Sequence, residues 1–279
     1  MNQTAIGILK IIRPVNCLIT FFVIIVGSFI CSNENILTFK IFLAALAGLF
    51  VTAAGNTIND IADVEIDKIN RPQRPLPSKN LSIRSAKILY VFLIVSSLVL
   101  SLLINYLAFL IILLSNILLY LYSVTIKRLA FFGNITVSFL TGYTFVFAGM
   151  VVGNVKLALI PAGFAFLINL IREIVKDMED IEGDKIAEAK TLPIVYGFNV
   201  SRKLILIISL ILFLLTLIPF VFNIYKIEFF IIVMVVVNPI IFYSVKLLYQ
   251  DSSIKNINKV SKLLKLSMVI GLISIYLGR

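Results

Sequence analysis

The chain has 279 residues, of which 60% are hydrophobic and only 14% charged, with a mean hydropathy of +1.07. Soluble domains carry about a quarter charged residues, so an ordinary soluble globule is excluded. The formal net charge is +11 and histidine is absent, which removes the usual general base, the usual zinc ligand and imidazole ligation of haem.

The apolar residues fall in runs near the ~20 residues that a helix needs to cross a bilayer. They predict an all-α, polytopic membrane protein forming one membrane domain, 1–279. Nine spans are expected near 14–32, 36–58, 88–104, 106–124, 131–152, 155–171, 204–222, 229–247 and 263–277. No small-residue cleavage site follows the first run, which is therefore expected to remain as a span. Cys17 and Cys31 fall in it and read as small apolar residues. The last run is short and would need tilt or local bilayer thinning.

The connectors alternate in character. Those at 33–35, 105, 153–154 and 223–228 are short, whereas 59–87, 125–130, 172–203 and 248–262 are longer and basic. With the N-terminus in the cytosol, only Lys40, Lys156, Lys226 and Arg279 of the 25 lysines and arginines lie on the far side. The positive-inside rule then places the long connectors in the cytosol, at the cell membrane. Topology and attraction to anionic lipid explain the +11, and no nucleic-acid partner is needed. The oligomeric state is left open.

Eleven of the 14 acids sit in two of these connectors. Asp60, Asp63, Glu65 and Asp67 follow the second span; Glu173, Asp177, Glu179, Asp180, Glu182, Asp184 and Glu188 follow the sixth. Both groups contain D-x2-D-x3-D followed by Leu-Pro, a layout suggesting an internal repeat. On a continuous helix, offsets of three and seven bring three carboxylates within about 60°. Asn59 borders the first such face, and Asn56 lies one turn before Asp60. Clustered carboxylates repel and raise each other's pKa unless cations intervene. Hard oxygen donors without His or Cys select Mg²⁺ or Ca²⁺, and Mg²⁺ is commonly shared with a substrate's phosphates. Glu65, Glu179, Glu182 and Glu188 point elsewhere and read as solvated helix faces.

Arg71 and Arg74 lie in INRPQRPLPS, where Pro72, Pro75 and Pro77 should stop the helix and stiffen an extended loop. Guanidiniums held there suit bidentate phosphate contact, with membrane anchoring as the plainer alternative. Arg13 and Asn16 flank the first span, Tyr122, Lys127 and Arg128 end the fourth, and Asn169, Arg172 and Lys176 end the sixth. Ionisable residues bordering a span are functional candidates, with snorkelling the competing view. Asn116 and Asn134 read as interhelical hydrogen-bond donors. The combination fits a diphosphate head at a cytosolic mouth with its hydrocarbon tail inside a helix bundle.

At these residues a resemblance is visible. NDIADVEID (Asn59–Asp67) resembles the first signature of the UbiA superfamily of intramembrane prenyltransferases, and DMEDIEGD (Asp177–Asp184) resembles its second. Arg13-Pro-Val-Asn16, the NRPxRPLPS run and TLPIVYG (Thr191–Gly197) fit as well. The family often has Tyr-x3-Lys after the fourth span, whereas here four residues separate Tyr122 from Lys127. The resemblance implies nine helices around a central cavity with two cytosolic Asp-rich helix-loop caps. It also implies two Mg²⁺ ions held by Asn59, Asp60, Asp63 and Asp67 with Asp177, Asp180 and Asp184, and a diphosphate neutralised by Arg71, Arg74 and Lys127.

Within the superfamily, EIDKINRPQRPLPS and REIVKDMEDIEGDKIAEAKTLPI look most like archaeal digeranylgeranylglyceryl phosphate synthases. That similarity implies transfer from geranylgeranyl diphosphate to the sn-2 hydroxyl of geranylgeranylglyceryl phosphate. A phosphorylated acceptor suits the surplus of cations at Arg13, Arg172, Lys176 and Lys190. An aromatic or chlorophyll-type acceptor is the nearest alternative, and a divalent-cation transporter is the alternative from another class. A CDP-alcohol phosphotransferase ranks below both, because its Asp-Gly-x2-Ala-Arg motif is not present.

Overall fold

The computed structural model describes residues 3–32, 37–186 and 188–279. Among them nine helices or helix pairs are long and apolar enough to cross a membrane, and no strand occurs. The predicted connector 33–35, with the first residue of the second predicted span, lies outside the described residues. In chain order come α1 (Gln3–Ile12), α2 (Pro14–Ser32), α3 (Phe39–Ala62), α4 (Val64–Asn70), α5 (Ile83–Leu102) and α6 (Tyr106–Val124). Then follow α7 (Phe132–Val151), α8 (Leu159–Glu179), α9 (Ile181–Ile186) and α10 (Leu192–Val221). The eighth span joins α11 (Ile227–Ile232) to α12 (Asn238–Gln250) through a π-helical turn at Val233–Val237, and α13 (Ile254–Leu277) is the ninth.

The helices close into a ring. α2 packs on α3 and α7, α3 on α5 and α6, α7 on α8, α8 on α10 and α13, and α13 on α12 and back on α2. Helix contact in hydrocarbon depends on close packing and polar contacts rather than on expulsion of water, so small residues mark the tight seams. α3 is built that way, with Ala44, Ala45, Ala47, Ala53 and Ala54 all buried. Gly48 shows the limit: a Cβ there would stand 2.2 Å from the Ile24 side chain on α2. Around α8, Ile171, Ile174, Val175 and Met178 pack with Ile205, Ile208 and Leu212 of α10 and Ile257, Val260 and Leu264 of α13. The outward faces carry exposed large apolar side chains, such as Val91, Phe92 and Val95 on α5 and Leu210, Leu214 and Ile218 on α10, as a lipid-facing surface requires.

Several helices run past their apolar cores. α8 continues to Glu179 rather than ending at 171, α10 begins at Leu192 rather than 204, and α13 begins at Ile254 rather than 263. The ninth span is therefore of ordinary length. Ser253 caps it by accepting from the Asn256 N–H at 3.3 Å, and its polar first turns are compatible with helix once that cap is present. α10 contains a kink at Gly197, whose φ of +78° glycine alone adopts freely. α1 was not anticipated from the sequence. Its Ile11 is buried with Leu76, Leu81 and Ala86, so it braces the Arg-Pro loop that follows α4.

Candidate active site

α3 and α8 reach the same end of the bundle and break there in the same way. Asp63 (φ −97°, ψ 6°) closes α3, and Asp180 (φ −93°, ψ 8°) closes α8. Past each break a short helix continues, α4 after Asp63 and α9 after Asp180, and these two short helices touch. The Asp-x3-Asp spacing bridges each break: the Asp67 N–H donates to the Asp63 carbonyl at 2.8 Å, and the Asp184 N–H to the Asp180 carbonyl at 3.0 Å. The internal repeat in the sequence thus corresponds to a repeated local structure.

The break divides the single carboxylate face expected from an unbroken helix. Asp60 is buried beneath Arg13 and Arg74 and does not line the polar cavity at this end. Asp63 and Asp67 do line it, together with Asp177, Asp180 and Asp184 from the other half. This cavity, about 110 Å³, also takes Asn59, Tyr122, Lys127, Arg13, Arg71, Arg74, Glu173 and Lys176 as walls.

Cations interleave with the acids. Arg74 contacts Asp67 at 2.5 Å and Asp60 at 3.3 Å, and Arg13 pairs with Asp60. Arg71 reaches across to the second half, 2.6 Å from Asp180 and 3.6 Å from Glu179. The loop holding both arginines is a chain of turns rather than the extended segment expected. The Arg74 N–H bonds to the Arg71 carbonyl at 2.9 Å and the Ser78 N–H to the Arg74 carbonyl at 3.0 Å. Proline fixes φ near the value such turns also use, so its presence did not decide between the two.

Lys127 pairs with Asp63 and donates to Asn59 at 3.4 Å. Between Tyr122 and Lys127 α6 ends at Val124 and a 3₁₀ turn, Ile126–Arg128, begins. Gly133 lets α7 approach that turn, since a Cβ there would lie 2.9 Å from the Lys127 Cα. Tyr122 lines the polar cavity beside the acids of both halves.

Beneath the polar cavity a larger, mostly apolar cavity of about 950 Å³ runs into the bundle between α2, α3, α6, α7, α8 and α13. That is near the upper end of the ~300–1,000 Å³ usual for small-molecule sites. Asn16 and Asn56 line its upper part; Asn56 donates to the Ile12 carbonyl at 2.9 Å, and Asn16 accepts from Lys265 at 2.8 Å. Arg172 and Lys176 border it and share Glu173, at 3.0 Å and 2.9 Å. Lys190 is exposed and lines neither cavity.

Among the described residues no three carboxylates converge closely enough to cage a metal by themselves. The donor set nonetheless suits Mg²⁺, which typically takes one or two carboxylates and completes its shell with water and substrate phosphate. All donors around the polar cavity are oxygen or cationic nitrogen, with neither His nor Cys among its walls. Burial, aided by the charges of Asp180 and Asp63, pushes the Asp184 carboxyl up to about 7. Burial also raises Asp67 above the usual carboxylate range despite Arg74 beside it. Arg71 is held more strongly protonated than usual: burial opposes this, but Asp180 and Glu179 outweigh it. Carboxyls whose pKa is raised by burial and mutual repulsion are the groups whose ionisation a divalent cation would most favour.

Four residues at or beside this site escaped the sequence reading. Glu179 faces Arg71 at 3.6 Å rather than forming the solvated helix face its sequence position suggests. Asn134 is the interhelical donor expected, from α7 to α8, but its partner is the site carboxylate of Asp177, at 2.8 Å. Glu173 and Lys265 stood out only as charges in apolar surroundings, and that signal was available.

A family model, the UbiA prenyltransferase family, matches residues 20–269. The digeranylgeranylglyceryl phosphate synthase of Methanosphaera stadtmanae is 37% identical, covering 97% of this chain and 98% of that protein. A solved structure of a digeranylgeranylglyceryl phosphate synthase superposes with a TM-score of 0.76 at 36% identity, covering 99% of this chain and 98% of that one. A UbiA homologue from Archaeoglobus fulgidus, solved with DMAPP and Mg²⁺, shares the fold with a TM-score of 0.64 at 20% identity, covering 96% and 99%. On the extent of the family match and of the full-length relative, this chain belongs to the UbiA prenyltransferase family.

Proposed function

We propose that this protein transfers a geranylgeranyl group from geranylgeranyl diphosphate to the sn-2 hydroxyl of geranylgeranylglyceryl phosphate, using Mg²⁺, with the polar mouth facing the cytosol. The observation that carries the proposal is the stacking of a mixed carboxylate–guanidinium cavity directly on a long apolar one. A prenyl diphosphate has that same polarity profile. The relatives' name and the DMAPP and Mg²⁺ bound by the Archaeoglobus homologue support the choice of substrates and metal. The distribution of lysine and arginine supports the orientation.

Asn59, Asp63 and Asp67 from one half, and Asp177, Asp180 and Asp184 from the other, would hold two Mg²⁺ ions, with Asp60 behind them fixing Arg13 and Arg74 unless metal binding draws it in. Bound there, the metal supplies charge neutralisation for the departing diphosphate. Arg71, Arg74 and Lys127 contact the same phosphates, and such preorganised cations are worth most in a water-poor site. The C1–O bond of the donor breaks with its electron pair leaving on the diphosphate. The sn-2 oxygen then bonds to C1, and its proton passes to a phosphate oxygen of a substrate or to an aspartate of either cluster. The apolar cavity walls keep water from the allylic cation. Tyr122, which lines both cavities, stands between the phosphate end and the tail.

A transporter reading has less support. Transporters hold their ions near the bilayer midplane, whereas the acids here gather at one mouth. Among the described residues α10–α13 carry only Glu228, in the first turn of α11, and Asp251 follows α12. The test is incubation of the purified protein with Mg²⁺, geranylgeranyl diphosphate and a panel of lipid and aromatic acceptors, with products identified by mass. The expected product carries two geranylgeranyl ethers on one glycerol phosphate. Product from an aromatic acceptor alone would overturn the assignment.

A further inference from the structure

We infer that Lys265, with Arg172 and Asn16, forms a separate phosphate subsite that seats the acceptor's phosphomonoester, an inference resting on the acceptor class just proposed. Lys265 lies within α13, a span whose remaining lysines all precede it, and its side chain lines the large cavity rather than the lipid face. Its ammonium donates to the Asn16 side-chain oxygen at 2.8 Å. No carboxylate among the described residues pairs with it, although the like charges of Arg172 and Arg13 act on it. Arg172 spends one nitrogen on Glu173, while its Nε is buried without a hydrogen-bond partner among the described residues. Glu173 serves Arg172 and Lys176 together, so three cations on this side face one carboxylate.

A cationic excess inside an apolar wall is costly unless an anion joins it. A phosphomonoester, at about −1.5 to −2 near neutral pH, is opposite in sign and comparable in size. The donor's diphosphate does not fit the same role. Lys265, Asn16 and Arg172 all line the large cavity but not the polar one bounded by Asp63, Asp67, Asp177, Asp180 and Asp184. Arg13, Arg71, Arg74, Glu173 and Lys176 are among the residues that line both, so the two anion positions adjoin, and Lys265, Asn16 and Arg172 set the second apart. The sn-2 hydroxyl is only a short glycerol backbone away from the phosphate, which puts it near the donor's C1 when each phosphate takes its own cations.

The test compares wild type, Lys265→Met, Lys265→Arg and the exposed control Lys262→Met in vesicles of fixed anionic-lipid content. KM is measured for geranylgeranyl diphosphate, for geranylgeranylglyceryl phosphate and for its dephosphorylated counterpart, geranylgeranylglycerol. Loss of one charge-assisted phosphate contact should raise KM for the phosphorylated acceptor about tenfold. The donor's KM and the constants for geranylgeranylglycerol should stay unchanged, Lys265→Arg should recover most of the loss, and Lys262→Met should behave as wild type. A Lys265→Met variant that still prefers the phosphorylated acceptor to the wild-type degree overturns the subsite alone. So does a defect shared equally by both acceptors, or one that follows the vesicle's anionic lipid instead of the acceptor's phosphate. A wild-type protein that prenylates neither glycerol acceptor overturns the proposed function, and the subsite with it.

Discussion

The two Asp-bearing helix breaks share backbone angles and spacing but differ in how their charges are met. In the first half every aspartate has a cation: Asp60 has Arg13 and Arg74, Asp63 has Lys127, and Asp67 has Arg74. In the second half Asp180 borrows Arg71 from the first, Asp177 is bonded by the neutral amide of Asn134 and has no ion pair among the described residues, and Arg172 and Lys176 are occupied by Glu173. The repeat has therefore diverged in charge while keeping its geometry. The first half comes with the Arg-Pro loop and Lys127, which suit phosphate. The second presents carboxylates with fewer counterions, which suits metal. Arg71 is the tie between them.

Removing the metal should have the largest effect. Chelation should abolish transfer, by at least the ~10²–10³-fold expected for losing a principal electrostatic contributor, and added Mg²⁺ should restore it. Undiminished turnover in excess chelator would break the proposed metal role of both halves, and with it the reading of the second half's sparse counterions. Next comes Arg71→Ala, which removes both the proposed phosphate contact and the tie between halves. A fall in kcat/KM of about 10²-fold is expected, with only a small change in melting temperature, because the pair with Asp180 is partly solvated and such pairs contribute ~0–1 kcal/mol. Arg71→Lys should recover little, since an ammonium lacks the guanidinium's planar fork.

A third test concerns the raised carboxyl of Asp184. Its pKa of about 7 in the folded protein stands against about 3.9 for a free aspartate. The folded chain thus holds that proton more tightly than the unfolded chain. Its stabilising contribution is fully present below pH ~4 and is lost as pH rises through about 7. Metal-free wild type should lose melting temperature over that window relative to Asp184→Asn, and Mg²⁺ should narrow the gap most above pH 7. Parallel profiles for the two proteins would show that Asp184 is not perturbed. The smallest effect is expected from Gly133→Ala, whose Cβ would press on the Lys127 backbone. Overpacking of this kind costs ~1–3 kcal/mol, and activity should fall less than in Lys127→Ala.

Much of this was legible in the chain. Spans at 14–32 and 106–124 coincide with α2 and α6 because their ends are marked by proline or asparagine caps and sharp changes in polarity. The repeated Asp spacing and the Arg-Pro loop stand out because charge is scarce elsewhere. What stayed hidden depends on tertiary position. Helix ends at 179 and 254 lie in polar sequence, where hydropathy gives no signal, and the start at 192 is separated from its apolar run by Gly197 and the mostly polar stretch 199–203. The helix break at Asp63 follows from backbone angles that no residue type announces. The ties Arg71–Asp180, Asn134–Asp177 and Lys265–Asn16 join residues distant in the chain. Lys190 looked equivalent to the other cations, yet its side chain points out of the site.

The division of one site between two breaks is tested most directly by Asp60→Ala and Asp177→Ala, assayed beside wild type in the same proteoliposomes with Mg²⁺ and both substrates. If both halves are needed, each variant inserts and folds yet yields no detectable digeranylgeranyl product above the metal-free background. Near-wild-type turnover in either variant would contradict it.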